Sequence, residues 1–436
     1  MAKTLHVISL GCTKNLVDTE VMLGRLRDYT LIDDATQSDV IIINTCGFID
    51  AAKQESINTI LSTHEARKED SILVVAGCLS ERYREELAVE LPEVDLFTGV
   101  GDYERIDALI GARESRFSDE VYLIDGAQRV ITGSTYHAYV KLAEGCNQQC
   151  SFCAIPSFKG KLHSRSLDSV VLEVEALVRQ GYYDFSFISQ DSSSYLRDQK
   201  MLDGLVLLIK RIELIEGVKS ARILYLYPST TTPKLIQAIA KSTVFHPYFD
   251  MPIQHINDFM LKTMRRGFGK AQTVALLEAM RAVPNALVRT SVIVGHPHES
   301  DADFEELLAF VRDFGFDSVT VFAYSNEEGT SAYEMEQIED KIIDKRIKAL
   351  QKVLKAKAKA RLNAYVGTSM KIVVDGPSSE HESLLSAKAL MWAPQIDGEI
   401  LVNESEITPI EYGVIYNATI TSIAGTTLMA TIVGHA

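Results

Sequence analysis

Val40-Ile-Ile-Ile-Asn-Thr-Cys-Gly47 decides how the amino-terminal third of the chain folds: four apolar residues run without alternation and end at a Cys-Gly pair. A run of that kind is a strand buried on both faces, which places it in a parallel sheet. His6–Leu10 and Ile72–Ala76 read the same way. Leu16–Asp28, Ala51–Lys68 and Ser80–Leu91 alternate with them and have the length and apolar spacing of helices. The pattern is βαβα, with right-handed crossovers. Residues 1–130 are expected to form this first α/β domain, bounded by a Gly/Ser-rich linker at Asp125–Ser134.

The alternation resumes on a larger scale over residues 135–340. Strand candidates are Ala138–Leu142, Asp184–Ser189, Arg222–Tyr227, Tyr248–Pro252, Leu287–Val294 and Ser318–Phe322. Ser169–Gln180, Leu202–Ile215, Thr232–Lys241, Lys270–Ala282 and Asp301–Phe314 supply helices between them. Such βα units suit an open or partial (β/α) barrel. Residues 341–365 read as a basic linker helix, because Lys341–Arg361 holds nine Lys or Arg and one acid, Asp344. Met370–Val374, Glu399–Val402, Val414–Ile423 and Thr427–Val433, separated by Gly/Pro turns, make 369–436 a small all-β barrel. The expected fold class is α/β with a β barrel at the carboxy terminus.

Forty-four basic against fifty-nine acidic residues give the 436-residue chain a net charge of −15. That argues against generic electrostatic affinity for nucleic acid or an anionic bilayer. An apolar fraction of 46% with 24% charged residues excludes a disordered or fibrous chain. No run approaches the roughly 18 apolar residues of a membrane span. Met1-Ala-Lys-Thr4 leads into a strand rather than a signal peptide. A reducing cytoplasmic setting is expected, where six cysteines are not disulfides.

Cys146, Cys150 and Cys153 form C-x3-C-x2-C within Glu144-Gly-Cys-Asn-Gln-Gln-Cys-Ser-Phe-Cys-Ala-Ile-Pro156. Three thiolates in eight residues suit an iron–sulfur cube, whose irons each take one thiolate, and leave one iron open. Structural zinc wants four closed ligands, and the nearest histidines, His137 and His163, are not at a ligand-like spacing. Zinc and inert buried thiols are the competing readings. Cys12, Cys46 and Cys78 lie 34 and 32 residues apart, one per βα unit, and each follows a strand. A parallel sheet gathers such loops at its carboxyl edge, and the neighbouring glycines suit close backbone approach. A second open-iron cluster and three structural cysteines in a sheet core both account for that spacing.

In these segments the chain resembles, over its whole length, the radical S-adenosylmethionine methylthiotransferases. Leu10-Gly-Cys-Thr-Lys-Asn-Leu-Val-Asp-Thr-Glu20, Asn44-Thr-Cys-Gly-Phe-Ile49 and Gly77-Cys78 look like that family's amino-terminal domain. Cys146–Cys153, with Phe152 before the last cysteine, is similar to its radical motif, and the terminal barrel to its TRAM domain. The resemblance implies two 4Fe–4S clusters and S-adenosyl-L-methionine as cofactors. It gives Cys146, Cys150 and Cys153 the cluster that cleaves the sulfonium to a 5′-deoxyadenosyl radical. It gives Cys12, Cys46 and Cys78 the cluster that holds the sulfur for transfer. An electron donor and a sulfur donor are implied, and a second S-adenosylmethionine provides the methyl group.

The same resemblance marks Phe152, Gln190, Asp191 and Gly295 as cofactor-binding positions. For Ser189-Gln-Asp191 an ordinary polar turn at a strand end is the alternative. Ser291-Val-Ile-Val-Gly-His-Pro-His-Glu299 departs from the family's Val-Gly-Phe-Pro-Gly-Glu at His296 and His298, which read as surface substitutions rather than catalytic acids. Met264-Arg-Arg-Gly267 matches a family run whose arginines either pair with carboxylates or are solvated.

The family divides between tRNA adenosine and a ribosomal protein aspartate. Tyr225-Leu-Tyr-Pro228, Met251-Pro-Ile-Gln-His255 and Ala393-Pro-Gln-Ile-Asp-Gly398 resemble the protein-modifying branch. Ser386-Ala-Lys-Ala-Leu390 departs from both branches and reads as a loop that meets its partner differently. From Lys371 onward two lysines face eight carboxylates, a net of −6. An RNA-binding barrel needs a basic face, whereas an acidic one suits a basic protein. The resemblance thus implies methylthiolation of an aspartate β-carbon in ribosomal small-subunit protein twelve, on or off the ribosome. The alternative is 2-methylthiolation of tRNA adenosine. Nucleic-acid contact through the basic helix is expected to be incidental.

Overall fold

Val40–Thr45 is buried along its whole length at the centre of a five-stranded parallel sheet in a computed structural model that describes residues 3–119, 123, 128–379 and 381–436. Thr4–Ser9 and Ile72–Gly77 flank it, and the two-residue strands Thr30–Leu31 and Leu96–Phe97 form the edges. In chain order the strands lie 2-1-3-4-5, a doubly wound arrangement whose switch point falls between the first and third strands. Helices Thr13–Arg25 and Asp50–Ala66 match the expected spacing. The helix expected at Ser80–Leu91 is two, Cys78–Arg82 and Arg84–Glu90, broken at Tyr83. The break turns Arg82 towards Glu327, 2.8 Å away in the next domain.

Of the expected linker, residues 125–127 lie outside the described residues, and the rest is clamped rather than free. Val130 N–H donates to Glu20 O at 3.0 Å and Thr132 N–H to Glu20 Oε1 at 2.9 Å. Arg129 is buried between Glu173 and Glu20, at 3.2 and 3.7 Å. Gly24 admits this strap: a Cβ there would stand 1.8 Å from Gln128 O.

The second sheet has six parallel strands in simple chain order: His137–Lys141, Asp184–Ile188, Ser220–Ile223, Phe245–Asp250, Leu287–Val294 and Ser318–Ala323. It stays open, so the partial-barrel reading holds. The third strand stops at Ile223, short of the expected Tyr227, because Tyr225 takes a left-handed φ of 62° that ends ladder pairing. Helices such as Leu167–Arg179 and Asp301–Phe314 pack Val174, Leu177 and Leu307 onto Phe185, Phe187 and Val292.

Asp340–Tyr365 is one 26-residue helix. Beyond it five strands close a barrel: Ser369–Pro377, Leu385–Ala389, Ile400–Ser405, Ile415–Ala424 and Thr427–His435. Leu385–Ala389 corrects the loop expected at Ser386–Leu390. Alanines are weak strand formers, yet Ala387 and Ala389 alternate into the barrel core. The barrel is locked to the second sheet by Arg222, fully buried, which pairs with Asp184 at 2.6 Å and donates to Leu390 O at 2.8 Å. Among the described residues no helix is long and apolar enough to cross a membrane.

Candidate active site

Cys12, Cys46 and Cys78 each begin the loop or helix after a strand of the first sheet, with Cys12 and Cys46 on either side of the switch point. The backbone is shaped to bring them together. Gly11 has φ +85°, and a Cβ on it would sit 2.5 Å from Cys46 Cβ. A Cβ on Gly47 would stand 2.7 Å from Leu79 Cα, so the second and third loops touch as well. Buried Asn15, one turn into the first helix, ties all three loops. Its Nδ2 donates to Leu10 O and Thr45 O (3.2 and 2.9 Å), and its Oδ1 accepts from Cys78 Sγ at 3.4 Å. Cys12 is exposed, whereas Cys46 and Cys78 are buried. Burial pushes the Cys46 thiol up to about 11 and the Cys78 thiol higher still.

Cys146, Cys150 and Cys153 lie on a loop bracketed by the short antiparallel pair Ala143–Glu144 and His163–Ser164. Gly145 has φ +73°, and the Cys146 N–H donates to Gly160 O at 3.1 Å. Ser151 anchors the middle. Its N–H reaches Met264 O (3.1 Å), its carbonyl accepts from Ala332 N–H (2.9 Å), and its hydroxyl lies 2.9 Å from His296 Nε2. Arg266 donates to Cys150 Sγ at 3.1 Å while stacking on Tyr227, whose hydroxyl is 3.5 Å from the same sulfur. Burial raises Cys146 and Cys153 to about 12 each. Among the described residues no three His, Cys, Asp or Glu side chains close on a single-ion site. Both trios are donor sets of thiols alone, the chemistry that suits iron–sulfur cubes with one thiolate per iron.

The two cysteine loops face one another. Cys78 shares a small apolar cluster with Ala154 and Phe158, immediately after Cys153. Beside it sits a buried quartet of charges that joins the two domains. Lys141 lies 2.8 Å from Glu144 and also pairs with Asp18, and Lys159 lies 3.4 Å from Asp18 and 3.6 Å from Glu144. Burial opposes the Glu144 carboxylate, but Lys141 and Lys159 hold it below the usual carboxylate range.

The remaining sequence candidates are distributed unevenly around this centre. Gln190 donates to Glu144 and leaves its own Oε1 buried and without a hydrogen-bond partner. That orphaned acceptor fits a ligand ammonium group. Asp191 accepts from Gln148 Nε2 at 2.8 Å and from the Ser193 and Ser194 hydroxyls at 2.7 and 2.6 Å. Phe152 packs on Met260, Met264 and Ile293. Gly295 gives its N–H to Glu299 at 2.8 Å, and a Cβ there would meet Ile343 of the linker helix at 2.5 Å.

Two expectations are corrected here. His296 is no surface substitution: it is fully buried, edge-on to Phe152 and Tyr324, and braces Ser151. His298 is exposed as expected, at a left-handed φ of 70° that a glycine adopts without strain. Arg266 meets a cysteine sulfur rather than a carboxylate or solvent. Sequence reading missed Asn15, Tyr227 and the charged quartet. Asn15 stood inside the quoted Cys12 motif, but nothing in the local pattern marks Lys141 and Lys159 as buried.

Family models match residues 4–99 (Uncharacterized protein family UPF0004), 140–311 (Radical SAM superfamily) and 366–433 (TRAM domain). Among solved structures, the radical S-adenosylmethionine methyltransferase TsrM from Kitasatospora setae is similar with a TM-score of 0.55 at 15% identity. It covers 76% of this chain and 74% of its own. The cobalamin-dependent radical enzyme OxsB gives 0.52 at 13% identity, covering 80% and 56%. These two share the fold. Full-length likeness is far stronger to proteins named ribosomal protein uS12 methylthiotransferase RimO. The one from Sulfurimonas denitrificans is 63% identical, covering 99% of both chains, and that from Sulfurovum is 62% identical, covering 99% and 98%. The Campylobacter jejuni protein is 56% identical over 95% of each. By identity and coverage together, the chain belongs to the RimO family of radical S-adenosylmethionine methylthiotransferases.

Proposed function

We propose that this chain inserts a methylthio group at the β-carbon of an aspartate in ribosomal protein uS12, using S-adenosyl-L-methionine and two 4Fe–4S clusters. The observation that carries the proposal is the meeting of two all-cysteine donor sets across one domain interface, through Cys78, Ala154 and Phe158. When bound, the clusters and S-adenosyl-L-methionine supply the hydrogen-abstracting radical, the sulfur and the methyl group.

The residues of the chain bind, orient and exclude water. Cys146, Cys150 and Cys153 hold the radical-generating cluster, and Arg266 and Tyr227 steady the Cys150 sulfur. Gln190 offers its unpartnered Oε1 to the amino group of the methionine moiety, and Asp191 fixes the turn that presents it. Cys12, Cys46 and Cys78 hold the second cluster, with Asn15 keeping their loops in register. The target carbon bears an unactivated C–H bond, which polar chemistry does not open at neutral pH, so a radical route is warranted.

The barrel gives a second, charge-based support for a protein substrate. Glu404, Glu406 and Glu411 are exposed on it, as a basic partner requires. Asp397 and Glu399 serve internally instead: Asp397 accepts from Ala393 N–H at 2.9 Å and Glu399 from Ser386 Oγ at 2.7 Å. An electron donor, a sulfur donor and a cytoplasmic setting complete the reading. Mass spectrometry of ribosomal proteins and tRNA from a deletion strain tests it. Loss of the methylthio increment from uS12, with tRNA adenosines unchanged, is expected; the reverse pattern refutes it.

A further inference from the structure

The linker helix Asp340–Tyr365 carries a feature that the reaction does not use. Lys341, Lys345, Lys348, Lys352, Lys355 and Lys359 recur at intervals of four and three, and all six are exposed. At about 100° per residue they fall within an arc of about 80°, and at about 1.5 Å per residue the row is about 27 Å long. The opposite side of the helix is the buried seam. Ile343 and Leu350 join the core of the second domain, and Arg346 reaches Glu299 at 2.7 Å and Asp301 at 2.8 Å. Arg361 on that side donates to Asp317 O, and Lys357 is half-buried near Asp313. The helix thus sorts its cations: the inward ones close the fold, and the outward ones form a line.

Among the described residues none of the six lysines has a carboxylate within ion-pair distance, although Lys345 feels Asp301. Other exposed lysines also stand without an acid, Lys210 and Lys241 among them, but they are scattered singly, and only on this helix do six fall in one row. In a chain of net charge −15, a row of six positive charges with one exposed acid, Asp344, in its span is a local reversal of sign. Its geometry selects the partner. A membrane-lying helix needs an exposed apolar face, and here that face is spent on the domain. A carboxylate-bearing peptide presents scattered charges, whereas a phosphate backbone repeats its charge regularly along a line.

We propose that this lysine row is a contact for an RNA phosphate backbone, so that the enzyme meets uS12 attached to ribosomal RNA rather than alone. The RNA contact stands on the helix; the placement on the ribosome rests on the function proposed above. Phosphate contact is independent of base sequence, so the probe is a fluorescein-labelled RNA duplex and the full-length chain, followed by anisotropy between 50 and 200 mM KCl.

With about six contacts the log–log salt slope is about −5, and affinity falls about a thousandfold across that range. In the triple variant Lys348→Gln, Lys352→Gln, Lys355→Gln the slope shrinks to about −2.7 and the loss to about fortyfold. Replacing the exposed Lys210 and Lys241 of other helices by Gln leaves the slope unchanged. Initial rates then separate the two claims. The triple variant should modify free uS12 at the parent rate and assembled small subunits much more slowly at 150 mM KCl. Equal slopes for parent and triple variant, or binding to phosphatidylserine vesicles in place of RNA, overturn the RNA contact. Unequal slopes with equal rates on subunits overturn the ribosomal placement. If the parent modifies neither form of uS12 while the slopes still differ, the function is wrong and the RNA contact survives.

Discussion

Replacing Lys159 by Met should unfasten the amino-terminal domain from the radical domain. Lys159 is buried, 3.4 Å from Asp18 and 3.6 Å from Glu144. At an effective dielectric of about 20, each of those contacts has a gross attraction of about 5 kcal/mol. Most of that offsets the desolvation of the ions. The observable quantity is the penalty for leaving two carboxylates to share Lys141, about 3–5 kcal/mol for breaking a buried pair on one side. Methionine keeps about the length and the apolar stem, so the loss is that of the charge rather than of packed volume. Urea unfolding should show the loss, and hydrogen exchange should locate it in the helix Thr13–Arg25, whose Asp18 is the uncompensated group. The double variant Lys159→Met, Asp18→Asn restores one cation to one anion, and should recover at least half of the loss. A single variant within about 1 kcal/mol of the parent would refute the reasoning. So would a double variant no more stable than the single one, because the loss would then be packing rather than charge.

Cys46→Ala should still form 5′-deoxyadenosine from S-adenosyl-L-methionine while transferring no sulfur, and its iron content should halve; loss of cleavage with an intact radical-site cluster contradicts the division of roles. Acid should weaken the barrel contact through His137 and His246, both held neutral chiefly by burial and then by Arg222, His246 down to about 3. Their folded values lie below the ordinary 6.5, so the unfolded chain binds more protons below that pH. Stability is full above about pH 6.5 and falls by up to about 1.4 kcal/mol per pH unit per histidine below it. Urea midpoints at pH 7.5 and 5.5 check this, and a His137→Gln, His246→Gln variant that keeps the full slope would count against it. His298→Gly should stabilise the chain by about 0.5–1 kcal/mol by removing a left-handed side chain, measured as a rise in thermal midpoint with unchanged activity.

The parallel sheets were legible because a strand buried on both faces writes itself as an unbroken apolar run, as at Val40–Ile43 and Ile72–Ala76. The cysteine loops followed from the topology, since every crossover of a parallel sheet delivers its loop to the same edge. Leu385–Ala389 escaped because its two buried residues are alanines, which carry no strand signature until the barrel surrounds them. His296 escaped for a related reason. An imidazole between Gly295 and Pro297 reads as part of an exposed turn, and only the approach of Ser151, Phe152 and Tyr324 from distant segments makes its position a core site. The charged quartet draws Asp18, Lys141, Glu144 and Lys159 from separate elements of two domains, and a local window cannot show that they neutralise one another.

Two cofactor sites that serve one carbon atom need a fixed separation, and a flexible linker between domains does not provide one. The contacts across this interface are of the fixing kind. Thr13, next to Cys12, places its hydroxyl 3.3 Å from the Tyr225 hydroxyl, and Lys14 Nζ lies 3.3 Å from the centre of the Tyr225 ring. Two residues further on, Tyr227 lies against Cys150 and Arg266. Tyr225-Leu-Tyr-Pro228 therefore has one tyrosine at each cysteine loop, with Leu226 buried between them. The left-handed backbone at Tyr225 that ends the third strand early is what turns the chain along the sheet edge instead of into the ladder. One of the segments that resembled the protein-modifying branch in the sequence is thus a spacer between the two cysteine loops. A substitution there changes the distance between the two cysteine loops.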